Sequence, residues 1–318
     1  MTLTPRMMRH PHGITAVDTE YLWPGHAAAH IIQDAGRAAF VDVGTTFSVP
    51  YLLAALEALG IGRDSVDYLL ITHVHLDHAG GTGRLLQELP RAQVVLHPRG
   101  APHLIDPTKL IAGSQVVYGE ERFNTLYGQI VPVPAERVRV IADGERLMLG
   151  ARELTFLHTP GHAMHHYVVI DPGHRSIFSG DTFGVSYRPL DTAEGAMILP
   201  TTTPTQFDPE QLIASIERLE SFAPESIYLM HYSRVTDIPR LAASLKAQVA
   251  EFARIALACA ASPQPFDEIQ SRVWQLWLTL LRQHGCTLPE ERIRQVLDGD
   301  LDLNTQGLIS WLERRKKA

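Results

Sequence analysis

Three histidines and one aspartate fall within six positions of the stretch Ile71-Thr72-His73-Val74-His75-Leu76-Asp77-His78-Ala79-Gly80-Gly81. They follow directly on an apolar run, Tyr68-Leu69-Leu70-Ile71, which is short and reads as a buried strand. Gly80 and Gly81 are expected to let the backbone turn tightly before a helical pattern over residues 84–89. A ligand cluster in the loop at the carboxyl end of a strand is where α/β proteins place their sites. In extended backbone His73 and His75 point the same way, so two imidazoles can hold one metal ion. After the turn, Asp77 and His78 can face a second ion beside the first. Imidazole suits zinc, iron or nickel, and an added carboxylate makes the second position harder and less selective.

The rest of the composition narrows the setting. With 318 residues and 45 % hydrophobic side chains, the chain can build one large domain or a domain with a smaller appendage. A net charge of −7 argues against a general nucleic-acid binder. The basic run Arg314-Arg315-Lys316-Lys317 suits the C-terminus of a helix. Cys259 and Cys286 lie near no other ligand type at zinc-finger spacing and read as small buried thiols of a reduced, cytoplasmic protein. Residues 1–13 hold no apolar segment of a secretory signal, and no stretch approaches eighteen apolar residues, so no membrane association is expected.

Along the chain, Ala28–Ile32 and Ala38–Val43 read as strands flanking a turn at Asp34-Ala35-Gly36. A helix carrying Leu52, Leu53, Leu56 and Leu59 on one face follows, with Gly60 near its stop. Val94–His97 is another strand, broken by Pro98. Residues 98–135 read as less regular, with an amphipathic piece from Tyr118 to Tyr127 whose aromatic members could line a pocket or simply pack on the core. Strand patterns return at 138–141, 147–149, 154–157, 167–170 and 176–178. Three loops then repeat one grammar, an apolar strand followed by a lone ligand type: Thr159-Pro160-Gly161-His162, Ser179-Gly180-Asp181 and Met230-His231. Singly each is weak. Together with the first cluster they complete two coordination spheres of nitrogen and oxygen donors with room for water.

These four motifs, spread from about residue 13 to 234, resemble the metallo-β-lactamase superfamily of metal-dependent hydrolases. The resemblance implies an α/β fold, a four-layer αββα sandwich with its site at one sheet edge. It implies that His73, His75 and His162 bind one metal, that Asp77, His78 and His231 bind the second, and that Asp181 bridges both. Two divalent ions, zinc expected and iron or manganese as alternatives, would activate a shared water for attack on an ester, lactone, thioester or phosphoester. Asp77 and Asp181 are the catalytic candidates, with Asp77 also orienting the hydroxide or passing a proton to the leaving group. His75 favours hydrolysis over the oxygen-reducing diiron branch, which carries Glu there. Asp181 looks more like the glyoxalase II, lactonase and RNase Z groups than the zinc β-lactamases with Cys. Homoserine lactonases tend to carry Tyr three residues after the bridging Asp, where this chain has Gly184 and only later Tyr187.

Supporting roles are assigned by position. His166 could hydrogen-bond a ligand, and Asp42, at a strand end beside the metal loop, could orient that loop. Phe183, Val185, Tyr187 and Met197 could line a pocket for an apolar acyl group. Asp208 reads as the N-cap, with Pro209 at the first position, of a helix over residues 209–220. From Pro239 the pattern is helical. Leu241, Leu245, Val249, Phe252 and Ile255 form one stripe, and Ile269, Val273, Leu276 and Leu280 a second beside Trp274 and Trp277. Two shorter helices are expected over 289–297 and 304–314. The expected organisation is a catalytic domain over 1–237 and a helical domain over 238–318, the latter packing on the sandwich or forming a homodimer. The expected activity is hydrolysis of a small-molecule ester, lactone or thioester. The alternatives are a phosphodiesterase or nuclease and a non-hydrolytic diiron redox protein on the same fold.

Overall fold

A computed structural model describes residues 3–203 and 205–317. Pro204, within the segment 200–208, lies outside the described residues. The chain begins with β1 (Met7–His10), β2 (Ile14–Asp18), β3 (Ala28–Asp34) and β4 (Arg37–Val41), antiparallel neighbours joined by short turns except for the longer loop 19–27 between β2 and β3. Then α1 (Val49–Leu59) crosses over to β5 (Val66–Leu70), which pairs parallel with β4. The short α2 (Leu76–Ala79) and α3 (Thr82–Glu88) lead to β6 (Gln93–Leu96). Next, α4 (Ala101–Ile105), α5 (Thr108–Tyr118) and α6 (Glu120–Tyr127) lead to β7 (Val138–Val140), so β4 to β7 run parallel. The result is a seven-stranded sheet in sequential order. Parallel strands need such crossovers, and the helices cover the apolar face that they leave.

The second sheet has six strands in the order β13-β12-β11-β10-β9-β8. These are β8 (Arg146–Leu149), β9 (Arg152–His158), β10 (Tyr167–Asp171), β11 (Ser176–Gly180), β12 (Ser226–Leu229) and β13 (Ser233–Val235). The helix α7 (Pro209–Glu220) precedes β12, and α8 (Ile238–Cys259), α9 (Pro265–Gln283) and α10 (Glu290–Lys317) follow β13. Two sheets with flanking helices and a C-terminal helical extension make up the expected α/β sandwich.

Two compact units are distinguishable. The first takes the chain up to His158, His165–Gly180 and Met230–Ser233. Its main core lies between the first sheet and α1 and α3, where Phe40, Leu52, Leu56, Leu69, Leu85 and Val94 are all buried. Each such side chain contributes about 1.5–3 kcal/mol by leaving water. The second unit gathers Thr159–Met164, Asp181–Leu229 and the chain from Arg234 onward, so α7 and α8–α10 share it. Trp274 and Trp277 are buried in it, as are the free thiols Cys259 and Cys286. At α7, Asp208 accepts from Gln211 N at 2.9 Å and Pro209 opens the helix, as its capping residues predict.

Three expectations need correction. Residues 98–135 are not irregular but hold α4, α5 and α6. No side chain of α5 is fully buried: Leu110, Ile111 and Tyr118 pack against the core only half-buried, which leaves a weak stripe to read. Residues 290–314 do not form two short helices but lie in the single α10, which runs through Gly299, where an added Cβ would meet nothing within 4 Å. Its inward face includes Asn304, Thr305 and Gly307, which a search for apolar periodicity passes over. Finally, Gly80 and Gly81 are in ordinary right-handed conformation, with φ of −60° and −81°. Glycine is needed there for close approach: a Cβ would stand 2.4 Å from the Leu76 carbonyl oxygen at Gly80 and 2.6 Å from that of Thr45 at Gly81.

Candidate metal centre

β4 and β5 end side by side, and their carboxyl ends carry Asp42 and the segment Thr72–His75. Asp42 adopts a left-handed φ of 54°, rare for a residue with a Cβ and a mark of a constrained position. Its buried carboxylate accepts from Thr72 N at 2.8 Å, from Thr72 Oγ1 at 2.9 and 3.0 Å, and from His78 Nδ1 at 2.8 Å. Thr72 Oγ1 gives its hydrogen to Asp42, so it accepts from His73 Nδ1 at 3.2 Å. One carboxylate therefore sets the rings of both His73 and His78. It turns the Nε2 of each inward.

The same arrangement recurs on other loops. His231 Nδ1 donates to the His26 carbonyl at 3.0 Å, and His162 Nδ1 donates to the Thr201 carbonyl at 3.2 Å. Carbonyl oxygens only accept, so these bonds assign the tautomer. A neutral ring held this way presents its Nε2 lone pair. His231 Nε2 stands 3.2 Å from Asp77 Oδ2, and His162 Nε2 stands 3.3 Å from Asp181 Oδ2 and from Thr203 Oγ1. His73 Nε2 lies 2.8 Å from His75 Nδ1.

Two groups of possible ligand atoms result, each with all members within 4.8 Å of one another: His73, His75, His162 and Asp181, and separately Asp77, His78 and His231. All seven residues picked out in the sequence are thus brought into one or other group. His75 and Asp77 are half-buried and the other five buried. Lone pairs opposed to carboxylate oxygens at about 3.2 Å repel unless a cation or a proton lies between them. Protonating every ring would crowd several buried positive charges together. The donor set, mixed imidazole and carboxylate oriented by Nδ1 bonds, fits divalent metal ions.

The other candidates fall at varied distances from this chemistry. His166 is buried and stacks on His73 with ring centroids 4.7 Å apart. Phe183, Val185, Tyr187 and Met197 are buried side chains, and Tyr187 Oη donates to the Asp300 carboxylate at 3.1 and 3.2 Å. Phe123 and Tyr127 of α6 pack with Tyr21, Leu76 and Met230, next in sequence to Asp77 and His231. Tyr127 Oη is 3.1 Å from Tyr21 Oη. Burial raises the pKa of both phenols, and the Asp77 charge adds to it, so both stay protonated donors. Sequence reading missed Thr72, Thr201 and His26. Thr72 had a signal, since it directly precedes the first ligand, whereas the other two act through backbone oxygens that any residue supplies.

Residues 22–231 match the family model of the metallo-beta-lactamase superfamily. The chain belongs to that superfamily. Its members are largely metal-dependent hydrolases, and the His and Asp groups described above are candidate metal-binding groups of that kind. Among curated relatives, the superfamily protein ST1585 of Sulfurisphaera tokodaii is 26 % identical over 225 residues, 69 % of this chain and 77 % of the relative. A hydroxyacylglutathione hydrolase of Xanthomonas euvesicatoria is 30 % identical over 203 residues, 64 % of this chain and 59 % of its own length. The match therefore spans well under two thirds of that hydrolase. The solved structure of ST1585 covers 94 % of this chain at a TM-score of 0.67 and 20 % identity. That of TTHA1429 from Thermus thermophilus covers 99 % at 0.63 and 20 % identity. Both show the shared fold. Among the described residues no helix is long and apolar enough to cross a membrane.

Proposed function

We propose that this protein is a dinuclear metal-dependent hydrolase that cleaves an ester, lactone or thioester of a small molecule. The observation that carries this reading is the pair of imidazole Nε2 atoms, of His162 and His231, set about 3.2 Å from carboxylate oxygens by Nδ1 bonds to backbone carbonyls. His73, His75 and His162 are assigned to one ion, Asp77, His78 and His231 to the other, and Asp181 to both. Zinc is the expected metal, with iron or manganese as alternatives. Bound there, divalent ions supply Lewis acidity and lower the pKa of a water enough to yield a nucleophile at neutral pH.

The chain's own residues hold the geometry. Asp42 keeps two imidazoles in the required tautomer from beneath. Asp77, with 21 % of its side chain exposed against 0 % for His78, is the acidic ligand candidate more open to solvent. It is assigned the orientation of the attacking water and the delivery of a proton to the leaving group. The apolar side chains packed with Leu76 and Met230, next in sequence to Asp77 and His231, support an acyl substrate over a polyanion. The hydroxyacylglutathione hydrolases among the relatives point to the same class of acyl compound.

The test is a panel of lactones, thioesters and phosphodiesters against protein of measured metal content. Turnover of an acyl substrate that is lost on chelation and restored by zinc, manganese or iron supports the reading. Turnover of phosphodiesters alone, or oxygen uptake by an iron-loaded protein without hydrolysis, overturns it.

A further inference from the structure

The face of α10 that sequence periodicity does not reveal is polar and makes specific bonds. Asp300, Asn304, Gly307, Trp311 and Arg314 recur at intervals of four and three residues, so they form one stripe along the helix. Each meets the segment between Tyr187 and Phe207. Asp300 accepts from Tyr187, Trp311 stands edge-on to Phe207 with centroids 6.4 Å apart, and Arg314 donates to the carbonyls of Thr205 and Phe207.

At the centre of the stripe Asn304, 1 % exposed, holds Thr202, which is fully buried. Asn304 Nδ2 donates to the Asp300 carbonyl at 2.8 Å, which fixes the amide so that Oδ1 faces outward from the helix. Oδ1 accepts from Thr202 N at 2.7 Å and from Thr202 Oγ1 at 2.8 Å. At Gly307 the helix touches the segment backbone to backbone: a Cβ there would stand 1.7 Å from the Thr202 carbonyl oxygen. The residue before Thr202 is Thr201, whose carbonyl accepts from His162 Nδ1. The peptide plane joining Thr201 and Thr202 carries both that carbonyl and the N–H that Asn304 binds, so fixing one end fixes the other.

We infer that Asn304 is a positioning residue for the His162 imidazole, acting from the C-terminal helix through the Thr201–Thr202 peptide. The bond from Thr202 N to Asn304 aims the Thr201 carbonyl at Nδ1, and so holds the His162 Nε2 lone pair toward Asp181. The role rests on His162 being a metal ligand, and it is independent of which bond the protein hydrolyses.

The test is cobalt(II) binding to the full-length protein in competition with a chelator, with the ligand-field spectrum of the loaded protein recorded. Asn304→Leu removes the acceptor, and Asn304→Asp keeps it. Partners that orient a ligand are worth about 10–100-fold in metal affinity. Asn304 acts one peptide further out, so the expectation for Asn304→Leu is about 10-fold weaker binding of one of two cobalt ions with an altered spectrum. Asn304→Asp, which keeps the acceptor but loses the Nδ2 bond to the Asp300 carbonyl, should bind more tightly than Asn304→Leu. Thr202→Val, which loses the hydroxyl bond but keeps the backbone N–H, serves if Asn304→Leu does not fold, and should weaken the same ion less. A folded Asn304→Leu, or a folded Thr202→Val in its place, with lowered melting temperature but unchanged cobalt affinity and spectrum overturns the inference. If the unmodified chain itself takes up no cobalt, the proposed function falls rather than this role alone.

Discussion

Asp77 differs from the other acidic ligand candidate in its setting. Asp181 is buried, whereas Asp77 keeps a fifth of its side chain open. Asp77→Asn retains one oxygen for coordination but removes the charge and the proton shuttle. We expect a fall in kcat of about 10²–10⁴-fold, the usual worth of a positioned acid–base group, with metal content by elemental analysis reduced far less. Equal loss of both would reduce Asp77 to a ligand. The seven ligand candidates could be picked out in the sequence because they are chemically distinctive and their loops each follow an apolar strand run. The groups that orient them were legible only where a side chain is involved. Asp42 and Thr72 are readable positions, but the carbonyls of His26 and Thr201 carry no signature in residue type.

At the level of the element, the turn from β5 into α2 and α3 depends on how closely it lies against the loop after β4. Gly81 N donates to the Gly44 carbonyl at 2.9 Å, and there is no space for a methyl group beside Thr45. Gly81→Ala should therefore destabilise the protein by roughly 1–3 kcal/mol, as overpacked sites do, read as a lower midpoint in chemical denaturation. Gly113→Ala is the matched control: it lies in α5, with nothing within 4 Å of a Cβ, and should be neutral or slightly stabilising through helix propensity. Strands and helices with inward apolar faces, such as β5 and α1, could be read from periodicity. Two kinds of element could not. One has an inward side that is only half-buried, as in α5 with Leu110, Ile111 and Tyr118, and the other has an apolar face interrupted by Asn304, Thr305 and Gly307, as in α10.

For the whole molecule, a buried histidine remote in sequence from the ligand motifs links stability to acidity. His30 on β3 is buried beside Phe178, with ring centroids 5.6 Å apart. Burial, helped by the neighbouring His10, lowers its pKa to about 3 from 6.5. The unfolded chain takes up this proton first, so the native state loses stability as pH falls from 6.5 towards 3 and is unaffected above 6.5. The slope is about 1.4 kcal/mol per pH unit, so roughly 2 kcal/mol should be lost between pH 6.5 and 5. His30→Leu removes that dependence. Denaturation curves at pH 7 and pH 5 should show the difference between the two proteins shrinking at the lower pH, and a constant difference would exclude the effect. The sequence placed His30 in a strand, but only burial on both faces of that strand makes it a liability in acid.

One feature of the first unit bears on how such a chain can diversify. The helix α5 fully buries no side chain, and Gly119 and Gly128, both at positive φ, stand at either end of α6 behind it. Leu110, Ile111 and Tyr118 pack half-buried against the core, whereas Thr108, Lys109, Ala112, Gly113 and Val116 are exposed and little of the core depends on their identity. Selection can rewrite those outward positions at small thermodynamic cost while the ligand-bearing loops stay untouched. New selectivity could then arise by remodelling a disposable outer turn of chain, with the reaction chemistry inherited unchanged.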